Sequence, residues 1–478
     1  MKKIKNILYV ASALFLGTSC NRYLEKTPRA QLNASIALSD SVGVQGTLAS
    51  AYRRLHQFEY YGRDFMLLGD VLADNAKIAT NTGRYTTQIN NQVFSHYGFW
   101  TGGPYAAIND VNYVIEATDD AQIRMSDGLR KRVKAEALFL RALCHHDLLR
   151  AYSYEPANAS GFNSGVVLRS KPTRGASDAD GAVRASVADS YEFVIKDLQQ
   201  AIAAFETIPN VGFPNKANLA SAQALLARVY LYAGRFAEAA DMADLALNTV
   251  DNQATPRAVL TNSGAHVGSF NTTIHPESLF EIDINAGDWS TVDGVNNSLS
   301  SWSRSPTSAL PLPGPGPVNA IAGSNTLNAV IVAADARRGL WSALPGVECY
   351  KWRGEKGAFL ENVPVIRYAE LVLIQAEGRA RSGNDAAAQT ALNRLRTNRG
   401  LTAVTPTGTA LTDEILLQRR IEFAFEGHRW FDLKRLGLAI AKDPAQGAAL
   451  SASDPRLLAP LPVSEIGINP KLVQNPGY

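Results

Sequence analysis

The chain has 478 residues, of which 46% are hydrophobic and 19% charged, and its formal net charge is +3. That is enough chain for a large core and for more than one unit of the ~150 residues typical of a domain. A charge so close to balance, with no basic run beyond the first residues, excludes a nucleic-acid footprint, and three cysteines exclude a disulfide framework.

The N-terminus reads as an export signal. Met1 is followed by Lys2, Lys3 and Lys5, then by an apolar run from Ile7 to Leu16, then by Gly17-Thr18-Ser19-Cys20. A basic start, a short apolar stretch and small residues before the cut make a secretory signal over residues 1–19. The alternative, a membrane-spanning anchor, needs ~20 apolar residues, about twice what is present. A Cys directly after small residues is what a lipoprotein signal peptidase leaves as the new N-terminus, so Cys20 is the expected lipidation site. The usual pattern has Leu three residues before the Cys; here that place is Gly17 and the Leu is Leu16.

Phe99-Trp100 runs into a helix over Tyr105 to Ile115, which assigns Trp100 to the core. From Arg130 to Tyr152 two apolar stripes lie side by side, Val133, Ala137, Leu140, Cys144, Leu148 and Ala135, Leu138, Ala142, His145, Leu149. Spacings of three and four on two adjacent stripes predict a helix buried over most of its girth. His145-His146-Asp147 sits on it, where neighbouring side chains diverge by about 100° and cannot share a metal. His145 is therefore expected to be a hydrogen-bonded core histidine, and Cys144 and Cys349 to be separately buried thiols.

Two later segments share one spacing. Gly234 has Ala227 before it and Ala239, Ala243 and Ala246 after it; Gly383 has Ala376, Ala388, Leu392 and Leu395 at the same offsets. Small residues there let two antiparallel helices approach, and the Gly ends the first helix. This is the tetratricopeptide pattern, with Ala-rich helical hairpins in general as its alternative. Between the two lies an insertion over about 251–360, rich in Asn, Ser, Gly and Pro, where Pro311 to Pro317 rule out a helix or central strand. Within it, Ser278 to Ile284 alternates like a short strand. After Gly437 the tail is again irregular, with prolines at 455, 460, 462, 470 and 476. The expected fold is mainly α: a tetratricopeptide-like helical-repeat scaffold over about 46–250 and 361–437, carrying this loop-rich insertion, where a binding surface would normally sit.

No catalytic motif is present: no His-Glu-x-x-His, no phosphate-binding loop, no Gly-x-Ser-x-Gly and no Cys-x-x-Cys. No catalytic residue, metal or cofactor is therefore expected. Arg419 to Asp432 is dense in charge and aromatics. Glu422 and Glu426 lie one helical turn apart and pair in this reading with Arg419, Arg429 or Lys434, clamping a helix end around buried Trp430 and Phe431; an acidic site is the alternative.

Blocks spread over nearly the whole chain resemble the SusD/RagB family, the sugar-binding outer-membrane lipoproteins of polysaccharide-utilisation systems. They are the signal with Tyr23-Leu24-Glu25, Lys134 to Ala142, Asp335-Ala336-Arg337-Arg338, Pro364 to Glu370, Arg419 to Leu436, Pro462 to Ile466 and Gln474 to Tyr478. The resemblance implies one SusD-like domain over 20–478, a SusC-like TonB-dependent transporter as partner, an oligosaccharide ligand and no catalysis. It also implies a position in the outer membrane, held by the lipid and facing the exterior. In such proteins the glycan lies on loops, which makes Asp74, Asn75, Arg84 and Tyr85, and in the insertion Trp289, Trp302 and Trp341, the candidate ligand-binding residues. Flat aromatic faces suit the CH face of a sugar, and Asp, Asn and Arg suit its hydroxyls. The same scaffold binding peptides, and a lipid-anchored hydrolase, are the rival readings.

Overall fold

The computed structural model describes residues 38–478 apart from 80–82, 93–95, 176–177, 179–180, 210–213, 254–256, 286, 288–298, 300–320, 343–347, 353–355, 357–359 and 443–446. Among the described residues the protein is mainly helical, with fifteen α-helices and four short strands. The first half runs α1 (Ser41–Arg54), α2 (Asp64–Val71), β1 (Ala76–Ile78), α3 (Thr86–Ile89), α4 (Pro104–Asp119), α5 (Asp127–Tyr152), α6 (Val187–Phe205), α7 (Leu219–Tyr232) and α8 (Phe236–Asp251). After it come α9 (Ser263–Ser269), β2 (Ser278–Ile282), β3 (Ile321–Gly323), α10 (Asn325–Val330) and β4 (Val363–Arg367). The chain closes with α11 (Tyr368–Arg381), α12 (Asp385–Asn398), α13 (Gly408–Glu422), α14 (Arg429–Arg435) and α15 (Val463–Ile468).

The double stripe becomes α5, capped by the Ser126 side chain and packed between α4 and α6. Every stripe residue is buried, and His145 is spent internally, its Nδ1 2.9 Å from the Arg141 carbonyl and its Nε2 accepting from the Arg169 N–H at 3.3 Å. Arg141 forks onto Asp197 of α6, both contacts 2.7 Å. Cys144 and Cys349 are free and buried, as expected. Trp100 is buried against Tyr105 and Tyr152.

The α7–α8 and α11–α12 hairpins turn by the same device. Gly234 and Gly383 adopt φ of 75° and 80°. In each turn the next N–H reaches back five residues, Arg235 to the Tyr230 carbonyl and Asn384 to the Arg379 carbonyl, both at 2.9 Å. This left-handed cap is costly for any side chain but Gly, which is why the two segments match in sequence. The small residues at the shared offsets are fully buried, and α11 lies against α8, so the two hairpins stack.

Beneath the Phe423–His428 turn that joins α13 to α14 lies a buried ionic cluster. Arg367 at the end of β4 donates to Glu426 (2.7 Å), Glu277 (2.7 Å) and Glu422 (3.1 Å). Arg399 donates to Glu422 and Glu277 at 2.8 and 2.9 Å, Arg337 to Asp335 and Glu422, and Lys351 to Glu426 at 2.5 Å. None of these eight residues is more than 4% exposed. Trp430 and Phe431 are fully buried, as the sequence reading has it, but the pairing partners need correction. Glu422 and Glu426 do not bind Arg419, Arg429 or Lys434. The turn, with Phe425 at φ 65° and Gly427 at 78°, carries α14 away, so that Arg429 reaches Asp74 while Arg419 meets Asp432. Lys434 meets Glu155 at 3.2 Å instead.

Candidate ligand-binding surface

Helix α2 ends in a turn that presents Asp74 and Asn75, and the chain then forms β1. Its antiparallel partner is β3, with Ala76 opposite Gly323 and Ile78 opposite Ile321, so this part of the insertion is brought back beside α2. The joint is well fastened. The Ser324 N–H donates to the Asn75 carbonyl, and its hydroxyl to the Asp74 carbonyl, both at 2.7 Å. Lys77 and Asn325 add a contact of 2.9 Å across the ribbon.

Four of the predicted residues follow α2 in the chain, and three of them are buried. Arg429 forks onto the Asp74 carboxylate at 2.7 and 2.9 Å. Burial alone would raise Asp74, but its hydrogen bonds from Arg429 and the charges of Arg429 and Arg420 outweigh it and hold the carboxyl below its usual range. The Asn75 amide bridges Arg420, which donates to its oxygen, and Asp70, which accepts from its nitrogen, both at 2.8 Å. Tyr85 has left-handed backbone, φ 57°, and its hydroxyl donates to Asp64 at 2.6 Å. The Arg63 guanidinium grips the same carboxylate and lies over the Phe58 and Tyr85 rings. Arg84, next to Tyr85, is exposed.

Trp341 is 6% exposed and meets the Phe425 ring edge-on at 5.3 Å, so it backs the turn from inside. Trp289, Trp302 and Cys20 lie outside the described residues. Among the described residues three non-glycine residues have positive φ: Tyr85, Asn91 and Phe425. Each is tied to α2. Tyr85 bonds Asp64, the Phe425 N–H bonds Asp70, and Asn91 faces Lys442, which donates to the Val71 carbonyl at 2.9 Å. Such backbone costs on the order of 1–3 kcal/mol per residue and gathers where a surface is held for use.

A second fixed point lies earlier in the insertion, where Arg53 at the end of α1 donates to the Gly287 carbonyl at 3.0 Å. Beside it opens a cavity of about 300 Å³ between α1, the turn before α7 and β2, lined by Tyr52, Arg53, His56, Lys216, Asp283 and Asn285 among others. Sequence reading does not find this cavity, because its walls come from three distant stretches whose local patterns are unremarked.

Asp70 supplies a pH signature for the ledge formed by the end of α2 and the β1–β3 pair. Burial pushes its carboxyl up to about 6, against hydrogen bonds from Asn75, Phe425 and Gly427 that favour the charge. A carboxyl whose folded value lies above its unfolded one helps folding most below that unfolded value, and the help is lost as pH rises through the folded value. From about pH 4 to pH 6, Asp70 should thus cost the fold about 3 kcal/mol, at about 1.4 kcal/mol per unit. Urea midpoints taken across that window should slope in the wild type and lose this component in Asp70→Asn; an unchanged slope would refute the assignment.

Two family models match the chain. Residues 350–478 match the family model described as SusD family, and residues 22–231 match one described as starch-binding, associating with outer membrane. A SusD-like protein P2 of Formosa agariphila is 26% identical over the full length of both chains. A SusD superfamily protein of Bacteroides thetaiotaomicron superposes with a TM-score of 0.78 at 25% identity, covering 91% of this chain and 99% of its own. A laminarin-binding SusD-like protein has the same fold, with a TM-score of 0.72 at 21% identity and coverage of 92% and 100%.

Proposed function

Because the chain belongs to the SusD/RagB family, we propose that it binds oligosaccharides at the cell surface and hands them to a partner TonB-dependent transporter of the SusC type, with no chemistry of its own. A lipid on Cys20 holds it to the outer membrane. The observation that carries this reading is the pair of family matches, whose N-terminal member is described as starch-binding and outer-membrane-associated. A laminarin-binding protein of the same fold supports the choice of a glycan over a peptide.

The ledge supports the location. Two points of the insertion are fixed to the scaffold, Ile321–Gly323 on β1 and Gly287 on Arg53, and Trp289 and Trp302 fall between them in the sequence. On this reading Arg84, Trp289 and Trp302 touch the sugar. Asp74, Asn75 and Tyr85 hold the ledge in place, and Trp341 backs it.

A protein that passes its ligand on should not hold it tightly, since strong binding slows release. A few stacked and hydrogen-bonded rings give about −4 to −7 kcal/mol, a Kd on the order of millimolar to ten micromolar. Calorimetry against oligosaccharides and peptides should show affinity rising with oligosaccharide length and none for peptides. Trp289→Ala and Trp302→Ala should each weaken binding about tenfold, the loss of ~1.4 kcal/mol, with unchanged melting. Normal binding by both variants would remove the tryptophans from the site, and binding of peptides alone would overturn the function.

A further inference from the structure

We propose that the cavity beside Gly287 is a subsite for an anionic substituent of the bound saccharide, a carboxylate or a sulfate, with the Lys216 ammonium as its counter-ion. The inference rests on the glycan-binding reading above and narrows its ligand to acidic oligosaccharides.

The argument begins with how Lys216 is held. Its Nζ stands 3.8 Å from the centroid of the Tyr52 ring. That ring cannot turn away, because its hydroxyl donates to Glu136 at 2.7 Å and accepts from the Ala217 N–H at 3.0 Å. A cation perched on an aromatic face gains attraction from the ring while its N–H groups stay available. Among the described residues Lys216 forms no ion pair, and its neighbouring carboxylates are engaged elsewhere. Asp283 is paired with Lys356, which is also held by Asn362 at 2.9 Å. Glu281 accepts from Asn362 at 2.7 Å and from the His275 N–H at 3.1 Å, and Glu136 is bonded to Tyr52 behind the ring.

The cavity therefore presents a positioned ammonium whose wall acids, Asp283 and Glu281, are engaged by Lys356 and Asn362, and burial depresses the Lys216 pKa despite the charges of Glu136 and Asp283. A neutral sugar filling the space would strip water from that ammonium and return no charge, which is costly. A carboxylate or sulfate would return it. Arg53 stands on the same rim as a second cation, fixed through Gly287. About 300 Å³ is the lower end of small-molecule pockets and suits a single substituted ring.

The test is calorimetry on the detergent-solubilised full chain with matched pairs of oligosaccharides: oligogalacturonides against their methyl esters, and sulfated galactan fragments against desulfated ones. The acidic member of one pair should bind about tenfold more tightly, and that advantage should shrink as salt rises. Lys216→Met should abolish the advantage, and Lys216→Arg should keep most of it. Which pair shows the gap identifies carboxylate or sulfate. If acidic and neutral members of both pairs bind wild-type protein alike, the subsite is refuted while glycan binding stands. If no member of either pair binds, the subsite is refuted, and the broader panel of oligosaccharides and peptides decides the glycan-binding reading. The wild-type comparison decides the matter even where Lys216→Met fails to fold.

Discussion

Glu422→Gln should destabilise the protein by about 3–5 kcal/mol, because it leaves buried cations short of one negative charge. Glu422 accepts from Arg337, Arg367 and Arg399, none of which has a route to solvent. Glutamine keeps the shape and some hydrogen bonds but removes the charge that offsets the cost of burying three guanidinium groups. The effect has a pH counterpart. Burial would raise Glu277, but the charges of Arg399 and Arg367 outweigh it and hold it down to about 2, and Arg399 and its neighbours likewise keep Glu422 well below the usual range. Groups with depressed folded values stabilise above their unfolded values near 4.5 and lose that contribution as pH falls toward 2. Urea titration at pH 7 should show the loss directly, and wild-type melting should fall between about pH 4.5 and 2 more steeply than that of the variant. A change under about 1 kcal/mol at pH 7 would mean that the cluster is not a stabilising unit.

Cys20→Ala should shift the protein almost completely from the membrane to the soluble fraction. Each buried methylene of an acyl chain contributes about 0.8 kcal/mol, so a cysteine carrying several chains is held nearly permanently, whereas one short chain binds only marginally. No helix among the described residues is long and apolar enough to cross a membrane. The variant should be expressed behind a signal cleaved by the ordinary signal peptidase, so that an uncleaved apolar segment does not itself hold it. Fractionation with immunoblotting reads the result, and protease treatment of intact cells should remove the wild type. Membrane retention of the cleaved variant would disprove the anchor.

What could be read from the sequence is what repeats locally. The stripes of α5 and the glycine spacing of Gly234 and Gly383 each record a constraint that acts within a turn or two of helix, and the structure places them where their periodicity requires. The partners of Glu422 were not readable, since Arg337, Arg367 and Arg399 approach it from separate segments and only the fold makes them neighbours. The pairing of β1 with β3 was hidden for the same reason: three residues on each side carry too little pattern to announce a partner so far along the chain. Asp74 and Asn75 were singled out as ligand contacts. Their side chains turn inward because Arg429, Arg420 and Asp70 claim them.

The β1–β3 ribbon and the Arg53–Gly287 contact have a further consequence. With two points of the insertion clamped, residues added between them would leave the ribbon and the Arg53–Gly287 contact as they are, so the scaffold offers the same two attachment points to stretches of different length.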